Sequence, residues 1–298
     1  MDFEHLRAFL SIAHAGGFSP ASASLHRSQP ALSRRIAQLE REVGAELFVR
    51  KATGVTLTQA GEALAPYAER ALAALGDCNA AMESLRKGAS GPLSVAIVGT
   101  LANAPFAATL QDFARTHRDV SLALRTAGSG DVSALVRAGD AAIGVRYHRD
   151  RDTTLAYKHI GDEELIVAAA PSHPLVKRGV AQLTDLAYER WLAFPPTRER
   201  VQDTVFAHFR TRGVTDLAWT PIDSLTAQKR LAEAGFGIAL LPRTSVAEEL
   251  AARTLAPLRV RDLEASNPVF LVTRRGAHLS PAAHALISLL ASPKKPKR

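Results

Sequence analysis

The sequence predicts an α/β protein in two parts: a helical head with a small hairpin and a long helix, then a larger α/β unit of two lobes. Three observations predict it. Two short helical patterns meet at a sharp break between Phe18 and Phe48. A longer helical pattern follows, its apolar residues spaced alternately by four and three. Beyond Gly88-Ala89-Ser90-Gly91-Pro92, a hinge by composition, short apolar runs of strand character alternate with helical stretches.

A first helix is expected over roughly Asp2 to Ala15, with Leu6, Phe9, Leu10 and Ala13 inward and Gly16-Gly17 ending it. Ser19-Pro20 reads as the capping residue and first helical position of a second helix, which places Phe18, Ala21 and Leu25 on one face before His26-Arg27 interrupts it. The third helix starts at Ser28, tolerates Pro30 because a first-turn N–H has no intrahelical partner, and runs to about Val43. Gly44 lets the chain leave it through a left-handed residue. Its apolar stripe is Leu32, Ile36, Leu39 and Val43; the other face shows Gln29, Ser33, Arg34 and Arg41. Amide, hydroxyl and guanidinium groups at a helix start suit base edges in a major groove, Arg to guanine, Gln to adenine, Ser to either or to phosphate. The plain alternative is the solvated face of a helical hairpin. Two short β-like runs then flank a turn at Thr53-Gly54, with Arg50 and Lys51 on the first arm. That is the form of a wing whose basic tip can lie on phosphates.

Residues 1–88 resemble the winged helix-turn-helix and linker helix of LysR-type transcriptional regulators. The resemblance runs through Leu6-Arg7-Ala8-Phe9, Ser28-Gln29-Pro30-Ala31-Leu32-Ser33, Leu39-Glu40, Gly44, Leu47-Phe48, Arg50 and Leu57-Thr58-Gln59-Ala60-Gly61. Taken with the helix pattern, it makes Ser28, Gln29, Pro30, Ser33, Arg34, Arg50 and Lys51 the expected DNA-contacting set. Gln29, Ser33 and Arg34 would read bases; Ser28, Arg50 and Lys51 would hold phosphates.

From Thr58 to about Lys87, the residues Leu64, Ala68, Ala71, Leu75, Cys78, Met82 and Leu85 form a heptad seam, with Pro66 in the first two turns. Such a seam either pairs with another helix or packs on its own domain. In the family resembled, two subunits pair through this helix, and a dimer suits a near-palindromic operator of double-stranded DNA. The resemblance also implies a tetramer and RNA polymerase as a further partner.

In the second part, strands are expected at Leu93–Val98, Val120–Arg125, Ala142–Val145, Leu165–Ala170, Trp191–Phe194, Leu217–Thr220 and Ile238–Leu241. Helices are expected at Ala104–His117, Val132–Ala138, Thr204–Arg212 and Thr226–Ala234. The alternation indicates a parallel sheet with crossover helices, in two units with a cleft between them, like type 2 periplasmic solute-binding proteins. Pro171-Ser172-His173-Pro174-Leu175 and the run from Glu233 to Pro242 resemble segments of the family's effector domain. The division expected is a winged helix-turn-helix over 1–58, linker helix and hinge over 59–90, effector-binding domain over 91–293 and basic tail over 294–298. Lobe I takes about 91–162 and 268–293, lobe II about 163–267.

Ligands of open α/β sheets gather past the carboxyl ends of strands, near helix N-termini. Thr100 and Asn103 lie at one such place and Ser129 at another; in the family an effector carboxylate often sits at the first. Thr197 and Ser224 are the candidates from the other lobe, and each hydroxyl has a helix cap or turn as its alternative. Arg146, at a strand end, could meet an anionic small-molecule effector or pair with Asp150 or Asp152.

The 298 residues carry a net charge of +8, but its distribution matters more than its sum. Residues 1–90 hold 10 Lys/Arg against 9 Asp/Glu, and four cations lie in the last five residues. Local clustering says more: six cations face three carboxylates between Arg27 and Lys51, and those carboxylates come late. The terminal run reads as a solvated tail or an aid to nonspecific phosphate affinity. A single Cys78 excludes an internal disulfide and a cysteine zinc site, and the start Met1-Asp2-Phe3-Glu4 lacks the form of a signal peptide, so a cytoplasmic chain is expected. Ten scattered His and no phosphate-binding glycine loop argue against an enzyme, a metal site or a cofactor. A pure solute-binding protein leaves residues 1–87 without a purpose. An architectural DNA-binding protein leaves the α/β part without one, and is the alternative to a sequence-specific regulator whose operator binding responds to an effector between two lobes.

Overall fold

The structure is a computed structural model that describes residues 1–51, 54–87, 91–195, 209–210 and 217–292. The head begins with α1 (Phe3–Ala15), whose N-cap Asp2 accepts the His5 amide at 2.8 Å while the His5 ring accepts the Asp2 amide. Gly16 ends it at φ 67°. The second helix, α2 (Phe18–Ser24), starts two residues earlier than Ser19-Pro20 suggests: Gly17 is its N-cap. Pro20 is tolerated because it still lies in the first turn, where N–H groups have no partner. Ser28 caps α3 (Gln29–Val43) by position but makes no side-chain cap bond, and Gly44 closes the helix at φ 75°.

β1 (Phe48–Lys51) and β2 (Gly54–Leu57) pair antiparallel as the wing. The Phe48 ring of the wing meets Phe9 in a tilted contact and Phe18 edge-on, with ring centroids 5.3 and 6.0 Å apart. The junction to α4 (Gln59–Lys87) explains the Leu57-to-Gly61 motif. The Thr58 hydroxyl accepts the Gly61 amide at 3.0 Å and donates to the Glu46 carbonyl at 2.6 Å. A Cβ at Gly61 would stand 2.3 Å from the Leu47 carbonyl oxygen.

The described strands of the second part form one main sheet in the order β4-β3-β5-β12-β6-β11-β7, with β10 added to β6. Lobe I uses β3 (Gly91–Val98), β4 (Val120–Ala127) and β5 (Ile143–Tyr147), covered by α5 (Ala104–Thr116), α6 (Ser129–Ala138) and α10 (Pro281–Ala291). Lobe II uses β10 (Ala239–Pro242), β11 (Ala256–Val260) and the short β7 (Val180–Ala181), with β8 (Trp191–Ala193) and β9 (Trp219–Pro221) beside them and α8 (Leu225–Glu233) against β8. The two long strands β6 (Leu155–Ala169) and β12 (Ser266–Arg274) run between.

The expected all-parallel sheet is corrected. β3 pairs β4 and β5 parallel, but β12 and β6 run antiparallel to their neighbours, and β10 and β11 pair β6 antiparallel. The reason is the long β6, which carries the chain straight from one lobe to the other without a crossover helix. The run of polar residues from Lys158 to Glu164, broken only by Ile160 and Gly161, hides much of it from a reading that seeks continuous apolar runs. The helix expected at Thr204–Arg212 falls almost wholly outside the described residues.

Candidate functional site

At the head, Leu32, Ile36 and Leu39 fix the roll of α3 by burying one face. Gln29, Pro30 and Arg34 then stand exposed at its N-terminal end, with Ser28 just before it and Ser33 half-buried beside them. Ser19 of α2 donates to the Gln29 side-chain oxygen Oε1 at 3.4 Å, and Arg34 reaches back to the Pro30 carbonyl at 3.4 Å. Arg35 is held off this face by Glu4 of α1 at 2.8 Å. Arg50 and Lys51 are exposed on β1, and the Arg50 guanidinium lies 5.0 Å over the Phe18 ring, which ties the wing to the α2–α3 pair. Six of the seven residues expected on DNA therefore stand exposed on one end of the head, and the seventh, Ser33, is half-open among them.

The linker helix corrects the seam partly. Leu64, Ala68 and Ala71 pack on the head's own core, Ala68 completely, so the first half of the heptad pattern is an internal face. Leu75 is half-buried, Cys78 and Met82 are exposed, and the side chain of Leu85 lies outside the described residues. A different stripe is open to solvent along the whole described helix: Ala63, Tyr67, Arg70, Ala74 and Cys78. Tyr67 is 65% exposed, with the Arg70 guanidinium 4.5 Å over its ring.

Between the lobes lies a cleft of about 940 Å³. Lobe I lines it with the ends of β3 and β4, the start of α6, and Tyr147; lobe II lines it with Leu192 to Pro195, Asp223, Leu225, Gln228 and Leu240. Thr100 and Ser129 are both on its wall, Thr100 9% exposed with its hydroxyl donating to the Tyr147 hydroxyl at 3.0 Å. Thr100 does not cap the following helix. Asn103 does, accepting the Phe106 amide at 3.2 Å, and its amide group donates to Thr244 at 2.9 Å. Thr244 donates in turn to Glu163 at 2.6 Å, and Ser245 donates to the Thr100 carbonyl at 2.9 Å. These bonds fasten the two lobes at the floor of the cleft. Burial pushes the Glu163 carboxyl up from its ordinary range, and the bond from Thr244 opposes that only in part. Asn103 and Ser224 are not on the cleft wall; Ser224 caps α8 by accepting the Ala227 amide at 3.3 Å. Thr197 lies outside the described residues.

The placement of Arg146 toward the cleft is corrected. It is 3% exposed and absent from the cleft wall, donating to Asp150 at 2.6 Å, to Ser133 and to the Tyr147 carbonyl. A buried guanidinium needs such partners to offset desolvation. The polar cluster continues through Tyr157, which donates to Asp150 at 2.6 Å and whose hydroxyl is pushed up to about 12 by burial and by that carboxylate. The cation on the wall is instead Arg137, with Asp131 and Asp223 the carboxylates there among the described residues. Sequence reasoning missed all three, because wall membership depends on which helix faces turn inward when the lobes close. Among the described residues no group of His, Cys, Asp or Glu is arranged to hold a metal.

A winged head with an open reading face, joined to a two-lobed receptor with a ligand-sized cleft, defines a ligand-responsive DNA-binding regulator. Comparison with known proteins agrees. Residues 3–62 match the family model of bacterial regulatory helix-turn-helix proteins of the LysR family, and residues 86–293 match the LysR substrate binding domain. The RuBisCO operon transcriptional regulator of Allochromatium vinosum is 29% identical over 289 residues, covering 96% of this chain and 94% of its own. The regulator TfdT of Cupriavidus pinatubonensis is 32% identical over 71% of this chain and 93% of its own. Among solved structures, CbnR, a LysR family transcriptional regulator, superposes with a TM-score of 0.65 at 25% identity, covering 97% of this chain and 98% of that one. The chain belongs to the LysR family of transcriptional regulators. It is a DNA-binding regulator modulated by an effector, not an enzyme, and its family binds small molecules and forms oligomers.

Proposed function

We propose that this regulator binds a dyad-symmetric operator as a dimer or tetramer, with one small effector in the cleft of each chain setting how the heads sit on DNA. The observation that carries it is the presence of both devices in one chain: the exposed set on α3 and β1, and the interlobe cleft. Gln29, Ser33 and Arg34 read bases in the major groove, and Ser28, Arg50 and Lys51 hold phosphates, with Pro30 fixing the first turn between them. Pairing uses the open stripe of α4 through Tyr67, Ala74 and Cys78, continuing to Met82, rather than the half-seam that the head already covers.

In the cleft, Thr100 and Ser129 lie toward the N-terminus of α6 and Arg137 in its last turn, so the wall offers hydroxyls at one end of the helix and a cation at the other, and the cation suits an anionic group of the effector. Asp131 and Asp223 would take hydrogen-bond donors elsewhere on the same molecule. A coupling of ordinary allosteric size, about 1–3 kcal/mol, is enough to move operator affinity about 5–150-fold. A cytoplasmic location and contact with RNA polymerase at the promoter complete the reading; among the described residues no helix is long and apolar enough to cross a membrane. The division into head (1–58), linker and hinge (59–90) and effector domain (91–293) belongs to the same proposal.

The test is selection of genomic fragments by the purified protein at two salt concentrations. Enrichment of a dyad-symmetric site that survives the higher salt supports a specific regulator. Uniform recovery that vanishes with salt would sink the reading in favour of an architectural binder.

A further inference from the structure

The linker helix carries a second constellation, on a face apart from the one packed in the head's hydrophobic core and from the open stripe. Glu69, Ala73 and Asp77 stand four residues apart and so line one side of α4. All three meet lobe I. Asp77 accepts from Arg274 of β12 at 2.7 Å, and Glu69 lies 3.9 Å from Arg137 of α6. Between the two ion pairs, Ala73 is 2% exposed and packs against Gly139 at the end of α6. A Cβ at Gly139 would come within 3.4 Å of the Ala73 Cβ, and the backbone there is left-handed at φ 82°, a conformation that favours glycine.

Arg137 is shared between three places. It stands on the cleft wall, donates to Asp152 of the loop after β5 at 2.6 Å, and faces Glu69 of the linker helix. Glu69 in turn lies 3.7 Å from His14 at the end of α1 in the head. A continuous line of charge therefore runs from the cleft to the DNA-binding head, through two side chains and without crossing the hinge.

We infer that Glu69, Ala73 and Asp77 of α4 with Arg137, Gly139 and Arg274 of lobe I form a latch between the effector domain and the linker helix, and that Arg137 is the residue through which the cleft acts on it. The second half rests on the reading of the cleft as the effector site. An anionic group reaching Arg137 competes with Glu69 for the same guanidinium, so occupancy of the cleft loosens the pair that holds lobe I to the helix. Release at Glu69 also changes what His14 meets, which carries the effect to α1. A ligand moves this equilibrium only by its differential affinity for the latched and unlatched chain.

The test uses the full-length protein carrying Cys78→Ser, Ala73→Cys and Gly139→Cys, checked for its fold by circular dichroism because position 139 is left-handed. The two Cβ positions suit a disulfide. Oxidation should give a crosslink within one chain, and the oxidised and reduced forms should differ in affinity for a selected operator fragment by about 5–150-fold. Adding Arg137→Gln should lower the crosslinking yield. No crosslink within a folded chain, or a crosslink that leaves operator affinity unchanged, overturns the latch. Loss of specific DNA binding by the unmodified protein would instead overturn the regulator reading, and the coupling with it. If the 139 variant does not fold, charge exchange decides: Asp77→Arg should shift operator affinity and Arg274→Asp in the same chain should restore it, whereas equal affinities in all three proteins refute the proposal.

Discussion

Arg34 and Lys51 are both exposed cations at the same end of the head, yet their settings assign them different work. Arg34 rises from the first turns of a helix whose roll is set by Leu32 and Ile36, and on the proposed reading it meets base edges. Arg34→Ala should cost about 1–3 kcal/mol on the operator and relax preference at one base position, measured by competition binding against single-base variants. Lys51 sits on the wing. Lys51→Ala should weaken operator and random DNA alike and lower the salt slope by about 1, which titration at several salt concentrations would show. Gly61 is held by geometry: with the Leu47 carbonyl 2.3 Å from a new Cβ and Leu57 2.9 Å away, Gly61→Ala should destabilise the head by about 1–3 kcal/mol in thermal melting.

At the scale of elements, α4 divides its surface among three tasks. One face closes the head's core, one carries the ion pairs to lobe I, and one is open. The heptad pattern marks the first of these in its early turns, which is why periodicity alone left the seam open between a partner helix and its own domain: burying a residue against one's own domain and burying it against a second chain leave the same spacing. A charge on the open face separates the cases. Ala74→Asp should shift the protein to lower mass in light scattering while leaving the head's melting unchanged, because Ala74 touches nothing in the head's core. Ala68→Asp should instead unfold the head, since Ala68 is 1% exposed there.

For the whole molecule, charge clusters hold lobe I together and join it to the linker. Burial works to raise the Asp150 and Asp152 carboxyls, but hydrogen bonds outweigh it: Tyr157, the Asp152 amide and Ser133 at the first, Thr154 and Arg137 at the second. Both are left below the usual carboxylate range. The stabilisation is therefore present above the unfolded value, near 3.9, and is lost as pH falls through the folded values. Urea unfolding should show the effector domain weakening below about pH 4, with a shallower loss in Asp150→Asn. His14 behaves oppositely. The Glu69 carboxylate, placed to accept from its ring, raises its pKa, with Asp140 adding to the effect, against desolvation. Its contribution is complete below about pH 6.5 and fades as pH rises through the folded value.

The winged head was legible in the sequence, because each signal there is local: a cap, a first-turn proline, a helical stripe and a short hairpin lie within thirty residues of one another. The sequence by itself also determined that a receptor of two α/β units follows, and placed Thr100 and Ser129 by the general tendency of ligands to collect at strand ends. Only the tertiary structure decided the rest. Strand β6 crosses both lobes and turns a presumed parallel sheet into a mixed one. Arg146 is consumed by Asp150, while Arg137, forty residues from β3 along the chain, reaches both cleft and linker. Those choices depend on which of several satisfied arrangements a buried charge adopts and on which faces meet when distant segments pack. Spacing along a chain records the face that a residue occupies; packing alone records what that face touches.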